Sequence, residues 1–376
     1  MERIAHPVIS AALSSLLAAA PALAGDLYFP PPGPEWETVA PRRAGWDPDA
    51  LDKALRLAGD RRSTAVVILH GGRILAERYW DPGRPRPGGG LRANRYYFTL
   101  RGRDSAGRPI EDVASVQKSV IAQLIGIAQH RGLLSIDDAV ARYLGRGWSK
   151  APSGAEARIT IRHLLTMTSG LTDKLEFEAP AGAKWRYNTP AYARLAAVLE
   201  AVTGWDRNAF TREWLTGPIG MADSKWMSRP WAQGPDAANR YGFAATARDL
   251  ARFGLLILAG GEWRGKQVLP DPEFLRASLS PSQQLNPSYG YLWWLNGQPF
   301  TVRGGRRMRG PLIPTAPNDL VAALGALGRK LYVVASLDLV VARLGKTPNA
   351  PGEERFDTAF WRALAAAAPE PRPVAP

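Results

Sequence analysis

Ser115 and Lys118 stand three positions apart at the head of an apolar run, and this pair of residue types can do nucleophilic chemistry. A serine hydroxyl attacks poorly until a neighbouring group takes its proton. Lysine can be that group when burial and nearby positive dipoles keep it neutral. On a helix, residues three apart share a face, so Ser115-Val116-Gln117-Lys118 brings the two side chains within hydrogen-bonding reach. A helix N-terminus beside the serine also supplies N–H groups and a positive dipole where negative charge develops on oxygen. Histidine is the commoner partner of serine, but no G-x-S-x-G elbow occurs in the chain, which speaks against an α/β-hydrolase. The four histidines (His6, His70, His130 and His163) do not pair at the i, i+4 spacing of a zinc helix. His163 is expected to be a structural hydrogen-bonding residue. There is no cysteine, which removes thiol nucleophiles, disulfides and thiolate metal sites together.

An S-x-x-K spacing is weak by itself, so the elements that would position it matter. Val120, Ile121, Leu124, Ile125 and Ala128 recur at helical spacing and predict a helix over 116–131, with Gly132 past its end. Helices are also expected over 47–58, 161–167, 189–202 (capped by Thr189 before Pro190), 247–259 (capped by Thr246) and 356–367. Strand-like runs cover 65–70 and 73–79, joined by Gly71-Gly72 as a tight hairpin, and recur at 321–325, 331–335 and 339–344. Residues 81–112, rich in Gly, Pro and Arg, predict one long connection that could form a lid. The expected fold class is α/β of the α+β type. One antiparallel sheet is built from both chain ends and flanked by helices, with a mostly helical region inserted. The sheet region would be 25–112 and 240–376, the helical region 113–239, and the catalytic unit 42–367.

Several landmarks in one order resemble the penicillin-recognising serine hydrolases, in the branch of class C β-lactamases, esterases and 6-aminohexanoate-dimer hydrolases. They are His70-Gly71-Gly72-Arg73 to Tyr79, Ser115 to Ser119, and Leu133-Leu134-Ser135-Ile136-Asp137-Asp138. Ile159 to Leu171, Trp185-Arg186-Tyr187-Asn188-Thr189 and the run 331–345 complete the set, so the resemblance covers about 65–345. It implies a β-lactamase/transpeptidase-like fold and a catalytic set of Ser115, Lys118 and Tyr187, with an oxyanion hole from the backbone N–H groups of Ser115 and Ala326. A phenol beside a lysine ammonium is expected to titrate below its usual value, so that the pair shares a proton near neutrality. Asn188, Thr189, Gly325, Tyr289 and Trp293 are the expected substrate-facing positions, and Trp185, Trp226 and Trp231 lie near the same landmarks.

Two departures narrow the expected chemistry. Thr189 occupies the family's Y-x-N asparagine position, with Asn188 displaced by one, so an amide contact there is in doubt. The third motif falls at Ala323-Leu324-Gly325 and lacks the cation that holds the carboxylate of a β-lactam. The expected substrate is therefore an ester or a small linear amide, with a D-amino-acid peptidase using Arg303 or Arg329 instead, or a weak β-lactamase, as alternatives. An inactive binding protein of the same fold is the alternative from another class. No metal or organic cofactor is implied.

The formal charge is +14, with arginines scattered apart from a denser stretch at 84–108, and no nucleic-acid motif accompanies it. Nucleic acid is not an expected partner, and a solvated basic surface would give weak attraction to anionic envelope surfaces. Residues 1–24 have the form of a cleaved leader: Arg3, an apolar stretch, and Ala22-Leu23-Ala24 as the cleavage site. The mature protein is expected to be periplasmic or secreted, with no integral span after cleavage.

Overall fold

Gly71 and Gly72 take φ angles of 58° and 82°, the left-handed pair that a two-residue hairpin turn needs. In the computed structural model, which describes residues 27–90, 94–232, 239–350 and 352–373, they join β1 (Ser63–His70) to β2 (Arg73–Tyr79). The expected leader at 1–24 lies outside the described residues. Further strands are β3 (Leu100–Arg103), β4 (Pro109–Asp112), β5 (Lys225–Ser228), β6 (Tyr241–Ala245), β7 (Glu262–Trp263), β8 (Lys266–Gln267) and β9 (Trp294–Leu295). The series ends with β10 (Phe300–Arg303), β11 (Arg306–Arg309), β12 (Val321–Leu324), β13 (Lys330–Val334) and β14 (Leu339–Gly345).

The large sheet has the order β2-β1-β14-β13-β12-β9, every neighbouring pair antiparallel. The first strands of the chain thus lie beside the last, with Val67 opposite Ala342. β14 is buried along its whole length and β1 along all but its last residue, so both faces of the sheet are covered. Helices α1 (Pro48–Asp60) and α5 (Phe356–Ala365) pack together, with α1 against β1, while α4 (Ala247–Leu258) packs on β13 and β14. Asp47 caps α1, its side chain accepting from Asp49 N and Ala50 N. Thr246 caps α4 by accepting from Asp249 N.

Two elements between the ends bear on the site. Helix α2 (Gln117–His130) is buried on all sides from Gln117 to Ala128, as its nearly unbroken apolar sequence requires. Helix α3 (Thr189–Thr203) packs against it. The connection over 81–112 is not the single irregular loop its composition suggests. It contains a short helix, Arg95–Thr99, and strands β3 and β4, which join β6 and β5 in a second sheet of order β3-β4-β6-β5. β4 finds its partner β6 far along the chain, Glu111 opposite Ala245. Such pairing leaves no local signature.

Candidate active site

The turn before α2 presents Ser115. Ala114 is held at φ 53°, a conformation costly for a residue with a Cβ. Asp112 Oδ1 accepts from Ala114 N at 2.9 Å, and Val113 N donates to Phe243 O at 2.8 Å, which fixes the turn from both sides. A short 3₁₀ turn, Ala114–Val116, then leads into α2.

Lys118 reaches back one turn, and its Nζ lies 3.1 Å from Ser115 Oγ in a hydrogen bond. It is 2% exposed. Burial pushes its pKa down to about 7, and the nearby Arg229 guanidinium pushes the same way. Arg229 is bound by Asp112 through two oxygens, at 2.6 and 2.7 Å. It also donates to Gln117 Oε1 at 3.1 Å. Burial alone would raise the Asp112 carboxyl, but the Arg229 pair outweighs it and holds Asp112 below the usual range. Lys118 has tyrosine rings on two sides, 5.0 Å from the Tyr187 centroid and 4.5 Å from that of Tyr192. It is therefore a free amine in about half the molecules at pH 7, roughly a thousandfold more than an unperturbed lysine offers.

Tyr187 joins the pair: its hydroxyl is close enough to the Ser115 side chain for that side chain to act on its titration. Its ring stacks on Trp294 at 6.0 Å and meets Tyr289 edge-on at 6.3 Å. Burial pushes its pKa up to about 12, while Ser115 and Arg303 act to lower it. The expected depression by a lysine ammonium does not occur, because desolvation dominates. Tyr187 is a phenol at neutral pH. A Lys amine and a Tyr phenol meeting at one serine can accept a proton at one site and donate at the other.

Gly325 brings the end of β12 against this turn. A Cβ there would sit 2.4 Å from Val113 O, so only glycine allows the approach. Ser115 and Ala326 then both line one cleft, and neither N–H donates to a backbone carbonyl in the surrounding turns. That arrangement can hold a developing oxyanion. The cleft is about 440 Å³, and Phe98, Trp231 and Leu327 supply its apolar walls. Arg95, exposed, lines it as well.

Other expected site residues lie elsewhere. Tyr289 and Trp293 are fully buried core, Trp293 stacked on Phe253 at 5.9 Å, and neither lines the Ser115 cleft. Asn188 is 1% exposed and its amide is spent on structure. It accepts from Ala191 N as the cap of α3 and donates to Leu171 O and Thr172 O at 2.8 and 3.0 Å. Thr189, expected as the cap, is instead the first residue of α3 and lines no part of the cleft. Arg329, by contrast, lines the Ser115 cleft: it is fully buried, 2.9 Å from Glu111 Oε2, and donates to Thr99 Oγ1, while its Nη1 has no hydrogen-bond partner. Its neighbour Lys330 pairs with Asp357 at 2.7 Å. Arg303 sits over the Trp294 ring at 5.4 Å with its Nη1 buried and unpartnered. His163 accepts from Thr160 N in a capping box. Trp231 lines the cleft, while Trp185 packs on Tyr289 and Trp294.

Asp112, Gln117, Arg229, Arg95 and Phe98 were not among the residues singled out by the sequence. Only the position of Gln117 inside S-x-x-K and the arginine density at 84–108 touch on them.

Comparison with known proteins agrees with this architecture. The family model described as Beta-lactamase matches residues 37–366. An uncharacterized protein of Alkalihalophilus pseudofirmus is 27% identical over 318 residues, 78% of this chain and 86% of that protein. Esterase EstB of Burkholderia gladioli is 30% identical over 162 residues, 33% of this chain and 41% of its own. Among solved structures, a Bacillus anthracis protein provisionally described as a 6-aminohexanoate-dimer hydrolase superposes with a TM-score of 0.63 at 16% identity. The superposition covers 92% of this chain and 89% of that one. The family match runs through both ends of the large sheet and the helical insertion bearing Ser115 and Lys118, and the chain therefore belongs to the beta-lactamase family, with its β-lactamase/transpeptidase-like fold.

Proposed function

We propose that this chain is an exported serine hydrolase that cleaves an ester or a small linear amide through an acyl-enzyme on Ser115. The observation that carries this reading is the 3.1 Å contact between Ser115 Oγ and a buried Lys118 whose pKa lies at about 7. The free amine of Lys118 takes the Ser115 proton as Oγ attacks the substrate carbonyl. The N–H groups of Ser115 and Ala326 hold the resulting oxyanion. Tyr187 gives its proton to the departing alkoxide or amine and recovers one from Lys118. Water then attacks the acyl-enzyme by the same proton path in reverse.

The substrate preference rests on the missing cation. Positions 323–325 carry none, and both Arg329 and Lys330 beyond them are bound to buried carboxylates. The apolar walls from Phe98, Trp231 and Leu327 suit an acyl chain. The likeness to esterase EstB over part of the chain supports ester chemistry. A D-amino-acid peptidase is the second reading, favoured by one observation: Arg303 and Arg329 each keep an unpartnered Nη1, and Arg329 lines the Ser115 cleft.

Intact mass after treatment with a fluorophosphonate tests the proposal. One adduct mapping to Ser115 is expected, absent in Ser115→Ala and formed at least a hundredfold more slowly in Lys118→Ala. No adduct on folded wild-type protein would return the chain to the class of binding proteins. Arg303→Ala should leave ester turnover within about threefold; selective loss of carboxylate-bearing peptides would favour the second reading. Protein recovered from the periplasm of a bacterial host should begin at Gly25, and a cytoplasmic chain with residues 1–24 retained would overturn the export claim.

A further inference from the structure

On the far side of Gln117 from Ser115 lies a second cavity of about 420 Å³ with a different character. Its described lining carries five Lys or Arg side chains, of which Arg207 pairs with Glu200 at 2.8 Å, against one lining carboxylate, Asp173. That carboxylate already lies 3.9 Å from Arg186. Two lining residues hold a buried N–H without an acceptor, Trp148 Nε1 and Arg194 Nε. Trp148 is only 7% exposed, so water does not replace the missing partner freely. Unpaired buried donors are costly and rare, and here two of them share one positively charged hollow. Aromatic side chains complete the lining, Tyr192, Trp226 and Tyr241, with the Arg207 guanidinium 3.9 Å over the Tyr241 ring.

The geometry points to a second ligand site in this cavity, built for a small aromatic carboxylate. The anion would meet Arg194 and the exposed Lys150 and Lys174, while the ring lies against the aromatic side chains. The hydrolase reading above does not require this site and assigns it nothing.

Its position couples it to Ser115. Gln117 lines both cavities, and the ring of Tyr192, which lines the second one, carries Lys118 on its face at 4.5 Å. The groups facing Lys118 are Ser115 on its own turn, Tyr187 and Tyr192 from the α3 side, and Arg229 with its partner Asp112 from the second sheet. Among the described residues no carboxylate pairs with Lys118 directly. A bound anion would add negative charge on the Tyr192 side. It would favour the ammonium form of Lys118 and so leave less free base for Ser115.

Calorimetric titration with 1-naphthoate, 1-naphthamide as its neutral control, tests the site in the full-length protein. Naphthoate is expected to bind saturably at one site, before and after fluorophosphonate treatment, and naphthamide at least tenfold more weakly. Arg194→Gln should weaken naphthoate at least tenfold. The exposed Lys150→Gln/Lys174→Gln double variant, which cannot disturb the core, should weaken it at least threefold. On wild-type protein at pH 7, saturating naphthoate should slow labelling of Ser115 to a plateau rather than to zero. Absence of saturable binding up to 10 mM, or equal binding in the Lys150→Gln/Lys174→Gln variant, would overturn the proposal. Loss of binding once Ser115 is labelled, or labelling driven to zero, would place naphthoate in the Ser115 cleft and overturn it equally. A protein that takes no adduct is titrated untreated, so failure of the hydrolase reading and failure of this one remain distinct.

Discussion

Lys118 must be close to Ser115, uncharged at working pH and held still, and three different features meet those demands. Helical spacing gives the 3.1 Å approach, burial lowers the pKa to about 7, and the rings of Tyr187 and Tyr192 confine the side chain. Tyr187 is shifted the other way, up to about 12, so it holds its proton throughout the accessible range. These directions fix a pH profile. Because the reactive form of Lys118 is the free amine, the rate of Ser115 labelling should rise tenfold per pH unit below 7 and level off above it. No falling limb is expected up to pH 10, since Tyr187 is still a phenol there. A bell with a descending limb near neutrality would show that Tyr187 and Lys118 share one proton after all.

Among the elements, the proposed oxyanion site would depend on both β12 and the turn before α2. Val113 and Gly325 come together backbone to side-chain-free backbone, and Ser115 and Ala326 line one cleft because no side chain intervenes. Gly325→Ala places a Cβ 2.4 Å from Val113 O, where the neighbour is main chain and cannot rotate away. The strand end must then retreat, at a cost of about 1–3 kcal/mol in stability. Labelling of Ser115 should fall at least tenfold although Ser115, Lys118 and Tyr187 are untouched. A labelling rate equal to wild type would show that Ala326 N–H does not serve the oxyanion.

Across the whole molecule, Glu111 ties the second sheet to the first. It takes both Arg329 contacts, Nε at 3.1 Å and Nη2 at 2.9 Å, and accepts from Tyr96 OH and Gly345 N. Thr64 donates to its other oxygen, so β1, β4 and β14 meet at one carboxylate. Breaking a buried ion pair by removing one partner typically costs about 3–5 kcal/mol. Glu111→Gln should therefore lower the thermal midpoint by more than 5 °C, by the same order for Arg329→Ala. Neither change should alter the preference among substrates that the folded fraction still cleaves. A selective effect of Arg329→Ala on carboxylate-bearing substrates, at unchanged stability, would contradict the structural assignment.

The sequence by itself determined what depends on neighbours along the chain. The S-x-x-K spacing, the Gly71-Gly72 hairpin, the apolar helix behind Ser115 and the closing strands at 321–345 are all set by residues within one element or one turn. So was the two-ended sheet, through the order of its landmarks. Tertiary structure alone decided the electrostatics. Arg229 reaches the site from 112 positions beyond Gln117, Arg329 meets Glu111 across 218, and whether a cation is free or spent follows from such meetings. The same holds for Asn188, whose amide could face a substrate or cap α3 until Leu171 and Thr172 came to lie beside it. Aromatic residues such as Tyr289 and Trp293 fit a core and a pocket equally well in sequence, and only packing places them in the core. Local periodicity records which face of an element is apolar, whereas burial and charge pairing depend on what the rest of the chain brings to that face.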